Sequence, residues 1–504
     1  MNAADQSRAN AALAGILSFG AVFAVAAMEG GYFPTSWGWT TLGLLWVCVA
    51  VLLTRSSIRL GALEVVSLAA LATLTGWTVL SLLWTESVPL TMLEVERSLV
   101  PLAGLAAALA VCRRAAAPAL ASGVLAAGLA LAVWALVLGV DEPLGYANAL
   151  ALMCVIATVL VVGCALERRD LVALTAAPAV IVLLVAIGRT DSRAAWLALA
   201  AGIGVGLALR LPRSAVAVAA ALAASVVIAG LAGATGSEER EAYWQVALKE
   251  ATREPLLGSG AGTWRRVWLR HREVPFSARD AHSLYLETLS ELGPVGLALL
   301  VGALAAPVAA AVRARERPLV PAAAGAYAAF LVHAGVDWDW EVTAVALAAV
   351  FLGASLLVSA REPPEATALA PTRRPQRPVP IEVPRGPALA VAVATAVLAA
   401  GALVGNVFTA RAENQLRAGD WGAAERAAGR AARVAPWAAE PWRLRGEAEA
   451  AQGRWGAAAA SFGKGLSRDA GDVELWRALS RVTTGSELRH ARARAAQLDP
   501  LGTG

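Results

Sequence analysis

Residues 146–165 read YANALALMCVIATVLVVGCA, a run without one charged side chain. An uninterrupted apolar stretch of about 17–25 residues is what a helix needs to cross the hydrocarbon core of a bilayer. Glu167, Arg168 and Arg169 follow at once and end the run at a water boundary. The pattern recurs along the chain, at roughly 11–28, 38–54, 62–84, 97–112, 118–140, 171–188, 193–210, 214–234, 294–313, 319–336, 342–360 and 387–410. That makes about thirteen candidate spans.

Composition agrees. The 504 residues are 58% hydrophobic, with a mean hydropathy of +0.59, more apolar surface than a soluble domain can hide. The first span is not read as a secretory signal, because further spans follow with no small-residue cleavage site and soluble domain between. The net charge of +5 is carried by arginine; lysine occurs only at Lys249 and Lys464. We read this basic balance as compositional bias and do not infer nucleic-acid binding. The four cysteines, Cys48, Cys112, Cys154 and Cys164, lie in or at the ends of spans, so no disulfide framework is expected.

The short loops alternate in charge. One set carries Arg55 and Arg59, Arg113 and Arg114, Arg168 and Arg169, Arg210 and Arg213, Arg313 to Arg317, and the arginines of 361–385. The other carries Glu29, Glu86 and Glu94, Asp141 and Glu142, then Asp337, Asp339 and Glu341. Basic loops stay in the cytoplasm. The N-terminus is therefore expected inside, and both the long segment 235–293 and the tail after 410 outside. Residues 361–386, rich in Pro and Arg, read as a cytoplasmic linker.

Residues 411–504 read as a soluble helical repeat. Gly419 and Gly453, Trp421 and Trp455, and Trp442 and Trp476 recur at the roughly 34-residue period of tetratricopeptide repeats. Such stacks bind protein segments or partner subunits. The alternative is an alanine-rich helical tail of no set architecture.

Arg189 and Arg193 break the charge rule, since they occupy a short outward loop. Either they snorkel to lipid headgroups or they hold something anionic. Asn148 and His333 also lie at outer span ends, whereas mid-span charges of the kind an ion pathway needs are largely missing. The chemistry is thus expected at the outer membrane–water boundary. The long outer segment adds Arg240, Arg253, Arg265, Arg266, Arg270, Arg272 and Arg279, with His271 and His282. Arginine forks match phosphate oxygens in pairs. The run Gly258-Ser-Gly-Ala-Gly262 lacks the lysine of a nucleotide loop, so it is only a weak phosphate-cradle signal. No ATP is supplied outside a cell, so a pre-activated lipid-linked diphosphate sugar fits the arginines and the location. His282 opens the stretch 281–293, with Asp280 expected to cap a helix that Gly293-Pro294 ends. An exposed histidine there is a candidate general base or an ordinary surface residue.

In order, Gly145-Tyr-Ala-Asn148, Asp191-Ser-Arg193-Ala-Ala-Trp196, Arg240-x-x-x-Trp244, Pro255-Leu-Leu-Gly-Ser-Gly-Ala-Gly262, Ala281-His282-Ser-x-Tyr285, Glu291-Leu-Gly293, Val332-His333 and Asp337-Trp-Asp-Trp340 resemble the motifs of the O-antigen ligase and polymerase family of bacterial membrane glycosyltransferases. The resemblance covers about residues 11–360. It implies an all-α polytopic bundle related to the GT-C transferases, here with a membrane domain over 1–360, a further span at 387–410 and a repeat domain over 411–504. It implies transfer of a glycan from an undecaprenyl diphosphate donor to a hydroxyl of a lipid, glycan or protein, on the outer face of the cytoplasmic membrane. Arg193 and Arg240, with Arg189, match diphosphate ligands, and His282 matches the base. Asn148, Trp244, Tyr285 and Asp337 are expected to support them. No metal or cofactor is expected. A polymerase joining lipid-linked repeat units fits the same motifs. A transporter, or a metal-dependent transferase using Asp337 and Asp339, is the competing reading.

Overall fold

In the computed structural model, residues 3–140, 143–167, 171–211, 238–361 and 381–502 are described. The chain is all-α. Among the described residues, eleven helices build the membrane part: α1 (Ala3–Ala26), α2 (Pro34–Thr54), α3 (Ala62–Leu80), α4 (Val88–Val111), α5 (Ala117–Leu138), α6 (Ala147–Glu167), α7 (Leu171–Arg189), α8 (Arg193–Ala208), then, beyond two helices of the long segment, α11 (Leu284–Arg313), α12 (Val320–His333) and α13 (Thr343–Ser359). Those two intervening helices are α9 (Glu238–Arg253) and α10 (Trp264–His271). Among the described residues, seven helices are long and apolar enough to cross a membrane, and α8, α12 and α13 are shorter apolar helices. The protein is a multi-pass membrane protein. The expected span at 214–234 lies outside the described residues.

The quoted apolar run becomes α6, whose residues from Ala149 to Val161 are buried throughout. It is the axis of the bundle, packed against α5, α7, α8 and α12. A helix apolar on every side must be covered on every side. Small residues allow this close packing: a Cβ on Gly202 of α8 would meet the carbonyl oxygen of Gly325 in α12 at 2.9 Å. Such approach is how membrane helices gain contact without a hydrophobic drive between them.

Arginines close the ends of α4. Arg55 donates to the Ala110 carbonyl at 2.7 Å, and Arg361 donates to that of Cys112 at 2.7 Å while pairing with Glu64. These carbonyls have no partner within the helix, and a cation there also meets the negative end of the dipole. Nearby, β1 (Ser57–Leu60) pairs antiparallel with β2 (Ile381–Pro384). The end of the expected linker therefore joins a two-stranded ribbon, which its sequence pattern had not indicated.

The chain then forms α14 (Arg385–Arg417), one unbroken helix that packs along α2 and runs directly into the tail. The tail helices follow as α15 (Trp421–Val434), α16 (Glu440–Ala451), α17 (Trp455–Arg468), α18 (Val473–Val482) and α19 (Gly485–Leu498), each packed on its predecessor. Gly419 and Gly453 sit at equivalent turns, with φ of +78° and +73°.

The tail is clamped to the segment 238–293. Val473, Ala495 and Leu498 join the apolar cluster of Tyr243, Trp264 and Trp268. Arg266 pairs with Asp469, which also accepts from Ser87, and Arg272 reaches Asp499 at 2.7 Å with both side chains almost wholly buried. Removing one member of a buried ion pair strands the other. Arg272→Met is expected to cost about 3–5 kcal/mol of docking, seen as faster hydrogen exchange across 473–498. Arg59→Met, which breaks an exposed pair with Glu382, is expected to leave that exchange unchanged.

Candidate functional site

The site is organised by one buried carboxylate. Asp337, in the link between α12 and α13, has no solvent exposure. Its Oδ1 accepts from the Tyr146 hydroxyl and from the Trp338 amide, both at 2.8 Å. Its Oδ2 accepts from Asn148 at 2.7 Å and from Arg240 at 3.2 Å. Tyr146 stacks on Trp338 with ring centroids 4.3 Å apart. An ionised carboxylate is tolerated out of water only with such a set of donors and a counter-charge. The expected residues Asn148, Arg240 and Asp337 are thus brought together. Tyr146 was missed as a contributor, although it stands inside the Gly-Tyr-Ala-Asn motif.

His282 lies just outside α11. Its backbone is left-handed, φ +53°, a conformation uncommon for a residue with a Cβ. The helix begins at Leu284 and is capped by Ser283, not by Asp280 as the sequence suggested. The Asp280 side chain turns inward toward Glu287 and Glu341. His282 consequently shares no helical face with Tyr285. Its Nδ1 lies 3.1 Å from the Asp280 carbonyl oxygen and its ring packs 5.0 Å from that of Tyr243. With Nδ1 donating to that carbonyl, Nε2 is left with its lone pair, the tautomer a base requires. Burial holds the imidazole below its ordinary pKa, against the opposing effect of Asp337.

Neighbouring contacts fix this strand. The Leu284 amide donates to the Ala334 carbonyl at 2.8 Å, and the Ala281 amide donates to Glu287 at 2.7 Å. Tyr285 commits its hydroxyl to the Leu331 carbonyl, so it positions the strand and faces no open site. His333 and Asp339 sit 3.0 Å apart with no exposure. They are poorly aligned for a hydrogen bond; at this distance and burial we read the pairing as electrostatic.

Arg193 is the first residue of α8, after the Ser192 cap and a left-handed Asp191. Arg189 ends α7. Both are exposed, and neither has an acidic partner among the described residues. Trp244 packs with Ala194 and Leu197 of α8 and with Val332 and Val336 beside α12. This contact brings the helix of Arg240, one turn before Trp244, against the start of α8 that carries Arg193. Arg189 is not tied into the cluster by any described contact.

The glycine run does structural work. Gly258, Gly260 and Gly262 all have positive φ. The amides of Ser259 and Gly260 donate to the carbonyls of Ser290 and Glu291, and those of Gly262 and Trp264 to the Glu291 carboxylate at 2.8 Å. A Cβ on Gly260 would lie 2.4 Å from Thr85. These amides are spent on packing and cannot cradle a phosphate.

The sequence reading missed a second polar cluster. Arg97 of α4 pairs with Glu94 and Glu341 and lies over the Trp340 ring at 4.9 Å. Asp280, Glu287 and Glu341 place carboxylate oxygens within 4.8 Å of one another. Burial, and then Glu341, pushes the Asp280 carboxyl well above its ordinary range. The only signal was Glu94-x-Glu-Arg97, which was assigned to a span edge. Asp337 and Asp339, the pair weighed for a metal, are instead engaged with Arg240 and His333 respectively.

Residues 178–301 match the model of the family described as O-antigen ligase, Wzy_C. This segment is similar to the O-antigen ligase family. It contains Arg189, Arg193, Arg240, Trp244, His282 and Tyr285; Asn148, Asp337 and the tail lie outside it. No curated protein matches the chain. The match supports glycosyltransferase activity of the O-antigen ligase or polymerase type in general.

Asp337→Asn is expected to destabilise the membrane domain. An amide nitrogen cannot accept from the donors that now converge there, and Arg240 loses its counter-charge. The loss is about 3 kcal/mol, measurable as a lower unfolding temperature in detergent.

Proposed function

We propose that the chain transfers a glycan from an undecaprenyl diphosphate carrier to an acceptor hydroxyl at the outer face of the cytoplasmic membrane. The observation that carries this reading is the convergence on Asp337. It joins Arg240 to the start of α6 and its charge acts on His282, while Trp244 binds the same helix to the end of α8 that bears Arg193.

The chemistry follows from the residues. His282 Nε2 takes the proton of the acceptor hydroxyl. The freed oxygen attacks the anomeric carbon and forms the new C–O bond. The old C–O bond to the diphosphate breaks, and its electron pair leaves with the lipid diphosphate. Arg193 and Arg240, with Arg189 at the rim, neutralise the charge gathering on that leaving group. The diphosphate is already anionic before reaction, so part of their effect is ground-state binding. Asp337 holds Arg240 in place and keeps its fork directed. No step calls for a metal. Ligase and polymerase share this chemistry and differ in acceptor.

His282→Ala is expected to retain donor binding and lose about 10²–10⁴-fold in transfer rate. Because burial lowers the imidazole pKa, the unmodified enzyme keeps its neutral base down to below pH 6.5, and activity falls only as pH drops through that lower value. Loss of donor binding in His282→Ala, with transfer surviving at saturation, would make the residue a diphosphate ligand.

Arg193→Lys is expected to lose most activity, since an ammonium cannot reproduce the two-pronged fork. Normal turnover in that variant would support the snorkelling role.

We also place the tail outside the cell. A cysteine substituted for the exposed Ser467 should react with an impermeant thiol reagent on intact spheroplasts. Labelling only after lysis would reverse the topology.

A further inference from the structure

A cavity of about 240 Å³ opens between α3, α4, α11, α12 and α13. Its walls are Leu71, Leu105, Leu300, Phe330 and Ala349, with Pro307 and Gly353 far along it. Its lining runs from Glu94 to Leu105 on α4 and from Thr343 to Gly353 on α13. At about 1.5 Å per residue, each stretch is roughly half the thickness of the hydrocarbon core. The space is apolar and matches the depth of one leaflet, room for a lipid tail.

One end is different. Glu94, Arg97, Glu287, Glu291 and Glu341 line it there, four carboxylates to one guanidinium. Arg97 is already engaged by Glu94 and Glu341. A phosphate brought to this end would meet carboxylates with no free cation, whereas hydroxyl groups would find acceptors. The cavity's polar end also touches the strand that holds His282: Glu287 accepts the Ala281 amide, and Asp280 lies against Glu287 and Glu341. Arg240 and Asp337 both act electrostatically on His282. His282 thus lies between this acid-lined end and the helix of Arg240, which Trp244 packs against the start of α8 with its exposed Arg193.

We propose that this cavity takes the hydrocarbon tail of the acceptor, a lipid whose head is a hydroxyl-bearing sugar without phosphate, and presents that head to His282. The proposal rests on reading the chain as a lipid-linked glycan transferase. It divides the two lipids by charge, the diphosphate donor on the arginine side and the neutral acceptor in the cavity.

The test uses the full chain in lipid nanodiscs. It is photolabelled with dodecyl maltoside carrying a diazirine in the tail, and with dodecyl phosphate carrying the same group. The expected result is maltoside label on peptides containing Leu300 and Ala349, with at least about tenfold less from the phosphate. Filling the space with Ala349→Phe, or with the milder Ala303→Leu, should remove the label. In a transfer assay with a glycolipid acceptor, the same variants should raise the acceptor KM about tenfold and leave the donor KM unchanged. Equal or stronger phosphate label overturns the proposal, as does label absent from these helices or indifferent to filling. Failure of the unmodified protein to transfer any glycan from a lipid diphosphate instead defeats the functional reading, a separate outcome.

Discussion

A negative charge buried without exposure must be surrounded, and Asp337 is surrounded by parts of the chain far apart in sequence. Its donors come from the entrance to α6, from α9, and from the backbone amide that follows it. Leaving any of them out would cost the desolvation of a carboxylate. The requirement holds Arg240 of α9 onto the bundle, beside the start of α6.

The bundle was plain in the residues because it is set by length and polarity. A run such as 146–165 permits little else, and the alternation of Arg-bearing and acid-bearing loops orders the spans. Arg193, Arg240 and His282 stood out as candidates, since arginine in a short loop between spans and histidine before a helix contrast with an apolar background. Contacts were not. Nothing in the sequence says that Tyr146 and Asn148, two positions apart, turn to one carboxylate far along the chain. The acidic group around Arg97 escaped because its members come from four separate segments, and each alone reads as an ordinary span edge. Asp280 was assigned a capping role by its position before a helix, but a neighbouring serine fits the cap and the aspartate finds acidic company instead.

The glycine-rich run shows how one composition serves different ends. Three positive-φ glycines in a row resemble an anion nest when read as a string. Here they let the loop approach the start of α11 closely enough for Glu291 to take two of its amides. The same carboxylate lines the apolar cavity. Loop, helix kink at Gly293 and cavity mouth are consequently one rigid unit, and a change in the loop is felt at the mouth.

The clamp between the tail and segment 238–293 carries a mechanical meaning. Arg266 lies in α10 and Arg272 follows its last residue, and their counter-charges lie near the ends of α17 and α19. The tail is also rooted in the membrane through α14, which runs unbroken from the bilayer into it. A body anchored at one point and gripping a second acts as a lever. A displacement of the tail would be transmitted to Trp264 and Trp268 of α10 and from there to Tyr243, against which the His282 ring rests.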